Sequence, residues 1–465
     1  MSKLIKDFQR IENDYIEKEI NGIQVWPLIR ESIYSELYSK VRGVSRPNTA
    51  DKDKPLIDKI KSLVYIIKNS IIYLFKPKFK AKYLFLNHPR KKQINNKYKD
   101  IYTDYIIDEL EAEFIVLEGL FQMKHLMPSY RKNVLYADIF DFWPRLISLF
   151  WNPTISKQEL NPWVNMQKEF EDKFKVKVDV VKLIKKEYLR ARLTTWGLRR
   201  LLKKVRPKII IEVVGYNRLC KHVNIVAKEL NIKTIELQHG YISEEHIAYN
   251  FPKKSPIIYS YPDYIGVWSE FYKNKMHPPV PINRIIVCGF KFFEEQTKNL
   301  NKKTGSTILF ISQGTIGKQL GMLAKDLSKL SQRQIVYKLH PGEVQDGQIR
   351  YLNLYNSDKI LVDDEIASDL YQRIFEAEIV IGVHSTALIE AASLGKRVIV
   401  VGLPGWENFK ELINDDSIPI QYSEAVPKKL LEMILNSREE RKEIQKPLIE
   451  PYDNSFLNLA SDTSG

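Results

Sequence analysis

Two stretches, KIIIEVVG (Lys208–Gly215) and TIELQHG (Thr234–Gly240), decide the fold. Each is a near-continuous apolar run of strand length that ends in a turn signal. A strand with one wet face alternates apolar and polar residues. A strand buried on both faces does not, and belongs to a parallel sheet covered by helices. YLFLNH (Tyr83–His88), FIVLEG (Phe114–Gly119) and VDVVKL (Val178–Leu183) read the same way. The theme returns with RIIVCGF from Arg284, TILFISQG from Thr307, QIVYKLHPGE from Gln334, IVIGVHS from Ile379 and RVIVVGL from Arg397. Helical segments separate these runs. The expectation is an α/β chain of two doubly wound, Rossmann-like domains. HPPVP (277–281) and TKNLNKKTGS (297–306) interrupt the pattern between them. The expected division is a helical extension over 1–80, domains over 81–280 and 281–445, and a tail over 446–465.

The composition is that of a globular protein, with 44% apolar and 28% charged residues in 465. The net charge of +15 asks for an anionic partner: nucleic acid, lipid surface or substrate. No zinc-finger spacing or RNP-type aromatic motif is present, so no nucleic-acid partner is expected. Cys220 and Cys288 show no ligand spacing and read as buried free thiols. The first twenty residues lack the apolar core of a secretory signal, and no run reaches the length of a membrane span, so the expected location is cytoplasmic.

Residues 51–82 carry a second signal. Ile57, Ile60, Val64, Ile67, Ile71 and Leu74 fall three or four apart, and lysines flank them on both sides, Lys52 to Lys61 and Lys76 to Lys82. An apolar helix face with basic edges suits an anionic membrane surface; a core helix with a solvated edge is the plainer alternative. The basic helix LRARLTTWGLRRLLKKVRPK (189–208) is open to the same two readings.

In open α/β sheets ligands bind beyond the carboxyl ends of the strands, so those positions hold the candidate site. After TILFI come Gln313, Gly314 and Thr315, then Gly317-Lys318 opening a helix. This is not a Walker loop, but helix-start N–H groups favour an anion. Lys338 and His340 end the next run, and the proline after His340 holds the chain extended there. Ser385 and Thr386 stand at a helix start, with Glu390 one turn on. Hydroxyls at that cap suit a pyrophosphate, and the carboxylate suits ribose. In the first half, His239 ends TIELQ and suits a base that deprotonates a hydroxyl. Glu244, Glu245 and His246 follow; they can orient His239, bind sugar hydroxyls or act as the base. His88 and Arg90 end the first run and suit an anionic acceptor. No Asp-x-Asp metal motif ends a strand-like run, and the expected site uses neither metal nor cofactor.

The strings LQHGYISEEH, YKLHPGE and VHSTALIEAASLGK resemble bacterial surface-polysaccharide glycosyltransferases of the GT-B type. The His-Pro and His-Ser-Thr elements are similar to those of CMP-sugar-using sialyl and Kdo transferases and of CDP-glycerol glycerophosphotransferases. The Trp-His-Gly of the last group stands here as Gln-His-Gly. The resemblance implies two domains facing a central cleft, with His340, Ser385 and Thr386 on the nucleotide phosphates. It implies transfer of a sugar from a nucleotide donor to a glycan or lipid-linked glycan at the inner face of the cytoplasmic membrane. Polyol-phosphate transfer from a CDP-linked donor, nucleotide-sugar 2-epimerisation and a non-catalytic scaffold are the alternatives.

Overall fold

The computed structural model describes residues 3–43, 56–75, 80–88, 91–121, 123–252, 257–298, 300, 305–365, 369–436 and 446–461. The chain forms two compact units. The first holds residues 1–267, 275–288 and 453–465; the second holds 268–274 and 289–452.

The first unit opens with helices α1 (Lys3–Glu12), α2 (Trp26–Arg42) and α3 (Leu56–Phe75). Strands β1 (Tyr83–Leu86), β2 (Phe114–Glu118) and β3 (Val134–Tyr136) follow, then helices α4 (Asp138–Phe150), α5 (Lys157–Phe174) and α6 (Val180–Val205). Next come β4 (Ile209–Val213), α7 (Arg218–Glu229), β5 (Lys233–Leu237), β6 (Tyr264–Val267) and β7 (Ile285–Val287). The seven strands are all parallel, in the order β7-β6-β5-β4-β1-β2-β3. The order reverses between β4 and β1, and that is the topological switch point.

The second unit has six parallel strands: β8 (Thr307–Ile311), β9 (Ile335–Lys338), β10 (Ile360–Asp363), β11 (Ala377–Gly382), β12 (Arg397–Val401) and β13 (Ile420–Ser423). Their order is β10-β9-β8-β11-β12-β13, with the switch point between β8 and β11. Helix α8 (Gly317–Leu330) leaves β8, and α9 (Thr386–Ser393) leaves β11. Both sheets thus have the Rossmann strand order, and the expected α/β class with two doubly wound units holds.

The central strands are buried on both faces, as a continuous apolar run requires: every residue of β4 and four of five in β8 are inaccessible. Fully burying one such side chain is worth about 1.5–3 kcal/mol. Two expectations fail. VDVVKL is not a strand; Asp179 caps α6, its carboxylate accepting from the Lys182 N–H at 3.0 Å, and Val180–Leu183 form the first turn. The β-branched residues favour a strand, but a capped start and a 26-residue amphipathic helix outweigh that preference. RIIVCGF belongs to the first sheet, where β7 pairs with β6. Within the two large sheets the strands unforeseen from the sequence are β3, β6, β10 and β13; two short hairpins, Glu19–Ile20 with Ile23–Gln24 and Lys92–Ile94 with Lys97–Lys99, are also unforeseen. Of these, β3, β10 and β13 lie at or next to sheet edges, where half-exposed positions break the apolar run.

The helical extension is built into the first unit. Phe8, Trp26 and Phe170 stack on one another. The fully buried Arg30 donates from Nε and Nη2 to Glu12, at 2.9 and 2.7 Å, and from Nη1 to the Ile247 carbonyl at 2.5 Å. A buried guanidinium is tolerated only when its charge and donors are matched, as they are here.

Candidate active site

At the switch point of the first unit, β1, β4 and β5 deliver three aromatic side chains to one place. His239 follows β5, Tyr216 follows β4, and His88 follows β1. The Tyr216 hydroxyl lies 3.2 Å from His239 Nε2, and the His88 ring centroid lies 6.1 Å from that of His239. Tyr102 donates its hydroxyl to the His239 carbonyl at 2.8 Å, with its ring edge-on to the imidazole. His246 packs on Tyr216 and on Tyr249, at 5.4 and 4.8 Å between centroids. The structure therefore brings together His88, His239 and His246, which are 158 positions apart at the extremes (246 minus 88).

The three histidines differ in what holds them. The His88 N–H donates to Asp100 Oδ2 at 2.7 Å, and Asp100 also takes the N–H of Tyr102 and the Thr103 hydroxyl. The Nδ1 atoms of His239 and His246 are buried and find no hydrogen-bond partner among the described residues. Burial lowers His239 to about 3 and His246 to about 4; the like charge of His88 and of His246 adds to the first. Both rings are neutral at physiological pH. Whichever tautomer His239 takes, one ring nitrogen keeps unused capacity for a ligand hydroxyl. Glu244 and Glu245 occupy the turn between the two rings; the Glu245 N–H meets the Ser243 hydroxyl at 3.3 Å. Arg90 lies outside the described residues.

Beneath this cluster lie carboxyl groups that the sequence patterning hides inside strands. Glu212 in β4 and Glu236 in β5 are inaccessible. Glu236 accepts from the Tyr249 hydroxyl at 2.6 Å and the Gly215 N–H at 2.8 Å. Glu212 accepts from Asn224 at 2.8 Å. Burial raises Glu236 to about 7, and burial plus the charge of Glu236 raises Glu212 to about 8. Gly215 is required here: a Cβ would sit 2.5 Å from one Glu236 oxygen and 2.8 Å from a Glu212 oxygen. Val214, just before it, has φ +59°, a left-handed conformation that costs a β-branched residue of order 1–3 kcal/mol. The strand thus ends in a strained turn that presents Tyr216.

A second buried network lies at the end of β2. Glu118 pairs with Lys91 and with His125 Nδ1 at 3.1 Å, and His125 Nε2 pairs with Asp138 at 2.8 Å. It anchors Lys91, three residues beyond His88. Its members are scattered polar residues with no common periodicity, so no pattern announces them.

At the switch point of the second unit, the Gln313 side chain bridges β8 to β11, its oxygen accepting from the His384 N–H at 3.1 Å. Gly314 and Thr315 are exposed in the turn before α8, and Arg350 donates to the Gly314 carbonyl. Ser385 is the N-cap of α9, its hydroxyl accepting from the Ala387 N–H at 3.3 Å; Thr386 is half-buried and Glu390 buried. His340 Nδ1 accepts from the Gly342 N–H at 3.1 Å, which puts the proton of the neutral ring on Nε2 and makes that atom a donor. Buried Glu343 fixes the same loop by accepting the His340 N–H at 3.0 Å. Lys338 Nζ pairs with Asp363 at 3.1 Å and donates to the Glu365 carbonyl at 2.9 Å. Sequence reasoning assigns His384 no role. Its Nδ1 is buried and unpartnered among the described residues, and Gly405, at φ +102°, leaves it room: a Cβ there would lie 2.6 Å away. Among the described residues no group of three or more His, Cys, Asp or Glu is placed to hold a metal ion.

No protein-family model and no curated protein sequence matches the chain. Solved structures similar to it include a UDP-GlcNAc 2-epimerase from Methanocaldococcus jannaschii, 12% identical with a TM-score of 0.47, covering 79% of this chain and 95% of that one. MurG of Acinetobacter baumannii is 11% identical with a TM-score of 0.48, covering 82% and 98%. A single-residue variant of the wall teichoic acid polymerase TagF is 12% identical with a TM-score of 0.40, covering 88% and 96%. Likeness at this level concerns the path of the chain and assigns no reaction.

Proposed function

We propose that this protein is a metal-independent GT-B glycosyltransferase that moves a sugar from a nucleotide-activated donor, CMP-linked by the resemblance of its motifs, to a cell-surface glycan or lipid-linked glycan. It works at the inner face of the cytoplasmic membrane. One observation carries the proposal: in each sheet the residues singled out by chemistry gather at the carboxyl edge beside the switch point, where open α/β sheets bind ligands. The second unit takes the nucleotide. Helix-start N–H groups and hydroxyls at Thr315, Ser385 and Thr386, with the Nε2 donor of His340, meet its phosphates, and Glu390 its ribose. The first unit takes the acceptor. His239 receives the acceptor proton, with Glu244, Glu245, His246, His88 and Arg90 holding sugar hydroxyls. An imidazole lowered to about 3 is a weak base at rest. Anionic substrate beside it favours the cation and raises it toward the working range.

A thermal-shift screen against CMP, CDP, UDP, GDP and their sugars tests donor binding, because a ligand that binds only the folded state raises Tm. The expected result is a rise with one nucleotide family, and extended glycan plus free nucleotide when acceptor is added. An epimerised nucleotide sugar made without acceptor, polyol phosphate on the glycan, or no nucleotide binding at all would each replace sugar transfer with one of its alternatives.

A further inference from the structure

Helix α3 has two faces with opposite fates. The inner face is keyed to the first unit. Asn69 donates to Asp138 at 2.9 Å, the Ser70 hydroxyl accepts from the Trp143 indole at 3.0 Å, Ile66 is inaccessible, and Tyr65 packs near His125. The outer face is bare aliphatic: Ile60 is 52% exposed, Leu63 40%, Val64 60%, Ile67 37% and Ile71 50%. At 100° per residue these five fall within one sector of about 100°. Lys61 and Lys68, both exposed, lie on one border of that sector, seven residues apart. No acid occurs between Ile60 and Phe75. Helix α4, which packs on α3, ends in a second bare apolar group: Leu149, Phe150 and Trp151 are 60%, 85% and 67% exposed. Scattered exposed aliphatics are ordinary; a contiguous ridge of them is not.

We propose that the outer face of α3, with the end of α4, is a docking surface for an anionic lipid bilayer. The helix lies in the headgroup plane with its aliphatic ridge in the acyl boundary and Lys61 and Lys68 reaching back to lipid phosphates. Charge selects this occupant over a second copy. Packing two such helices together would bring acid-free, lysine-edged faces against each other, and like charges across an interface are unfavourable. Among the described residues no helix is long and apolar enough to cross a membrane, so the contact is peripheral. The inference shares with the proposed function only the membrane location. It uses no nucleotide or acceptor residue, and its test reads no activity.

The test is co-sedimentation of the full chain with phosphatidylcholine vesicles, with and without phosphatidylglycerol, at low and high salt. Binding is expected to the anionic vesicles and to weaken with salt. Val64→Glu with Ile67→Glu should lower partitioning at least about tenfold. Lys61→Glu with Lys68→Glu should lower it at low salt by about fivefold or more per lysine. Circular dichroism checks the fold; if the glutamate pair does not fold, Val64→Ser with Ile67→Ser takes its place with a smaller loss expected. Absence of binding to anionic vesicles, or equal binding by the ridge variant and the parent, overturns the inference. So does a dimer in sedimentation equilibrium that the ridge variant dissociates while the parent binds no vesicles.

Discussion

The two switch points solve opposite problems with the same sheet topology. In the second unit the edge of β8, β9 and β11 offers donors: turn N–H groups, a capped helix start, hydroxyls and the imidazole of His340, whose Nε2 carries the proton. Several of its members, Gly314 and Thr315 among them, are exposed. In the first unit the residues at the edge of β1, β4 and β5 are half-buried, and the carboxyl groups beneath them, Glu212 and Glu236, are inaccessible. Its His239 and His246 are stripped of charge by burial, and the carboxyl groups behind them hold their protons to unusually high pH. An edge rich in fixed donors suits an anion. An edge that carries two neutral imidazoles, His239 and His246, beside tyrosines suits an uncharged hydroxyl whose proton must move.

The sharpest way to break this contrast is at His239. His239→Ala should cost transfer activity about a hundredfold or more, the usual contribution of a positioned acid or base. Donor-nucleotide affinity, read by calorimetry, should stay within about twofold, because His239 belongs to the other unit. Full activity would remove the base assignment. Equal losses in affinity and turnover would dissolve the division of labour between the units.

A smaller effect is expected in the second unit. Ser385→Ala with Thr386→Ala removes two hydroxyls at the start of α9 while leaving its N–H groups. The Ser385 hydroxyl is already engaged with the Ala387 N–H, so the variant is expected to remove about one hydrogen bond to a charged group, worth about 1.5–3 kcal/mol, and nucleotide Kd should rise about tenfold to a hundredfold. Turnover at saturating donor should change little. A large fall in turnover at unchanged Kd would move these residues from binding into the chemistry.

The parts of this contrast legible in the sequence are those that periodicity writes. Strands buried on both faces produce continuous apolar runs, and Ile209–Val213 and Thr307–Ile311 lie inside the runs KIIIEVVG and TILFISQG, which extend past them into the following turn. The residues after those runs can then be nominated by position. Edge strands such as Ile360–Asp363 carry half-exposed positions and do not stand out. The helix from Val180 reads as a strand because its first turn is β-branched and its Asp179 cap looks like any loop acid. Glu212 and Glu236 are hidden in plain view. A carboxylate inside an apolar run looks like an outward-facing position until the structure shows two such strands side by side. Nor can the sequence show that Arg30, from the helical extension, reaches the carbonyl of Ile247, next to His246. That contact joins residues 217 positions apart.

The last prediction uses those hidden carboxyls. Asp100, Glu236 and Glu212 have folded-state values of about 7, 7 and 8, above their ordinary values of 3.8, 4.5 and 4.5. The folded state binds their protons more tightly than the unfolded chain, so their contribution is full below about 4 and is lost as pH rises through 7–8. His222, His239 and His246 are lowered from 6.5 to about 3, 3 and 4, so theirs is full above 6.5 and lost as pH falls toward 3. Between about 4.5 and 6.5 the two slopes oppose one another. Above 6.5 the lowered histidines no longer contribute a slope, the carboxyls and the raised His125 act in the same direction, and stability should fall with pH. Glu212→Gln keeps a neutral acceptor for Asn224 and removes one ionisation. Its Tm should lie nearest the parent's at about pH 4, where Glu212 is protonated in the folded and unfolded chains alike, and should exceed it by a margin that grows to a few degrees by pH 9. Parallel Tm curves for the two proteins across that range would mean that Glu212 is not held neutral, and the contrast between the two switch points would lose its chief support.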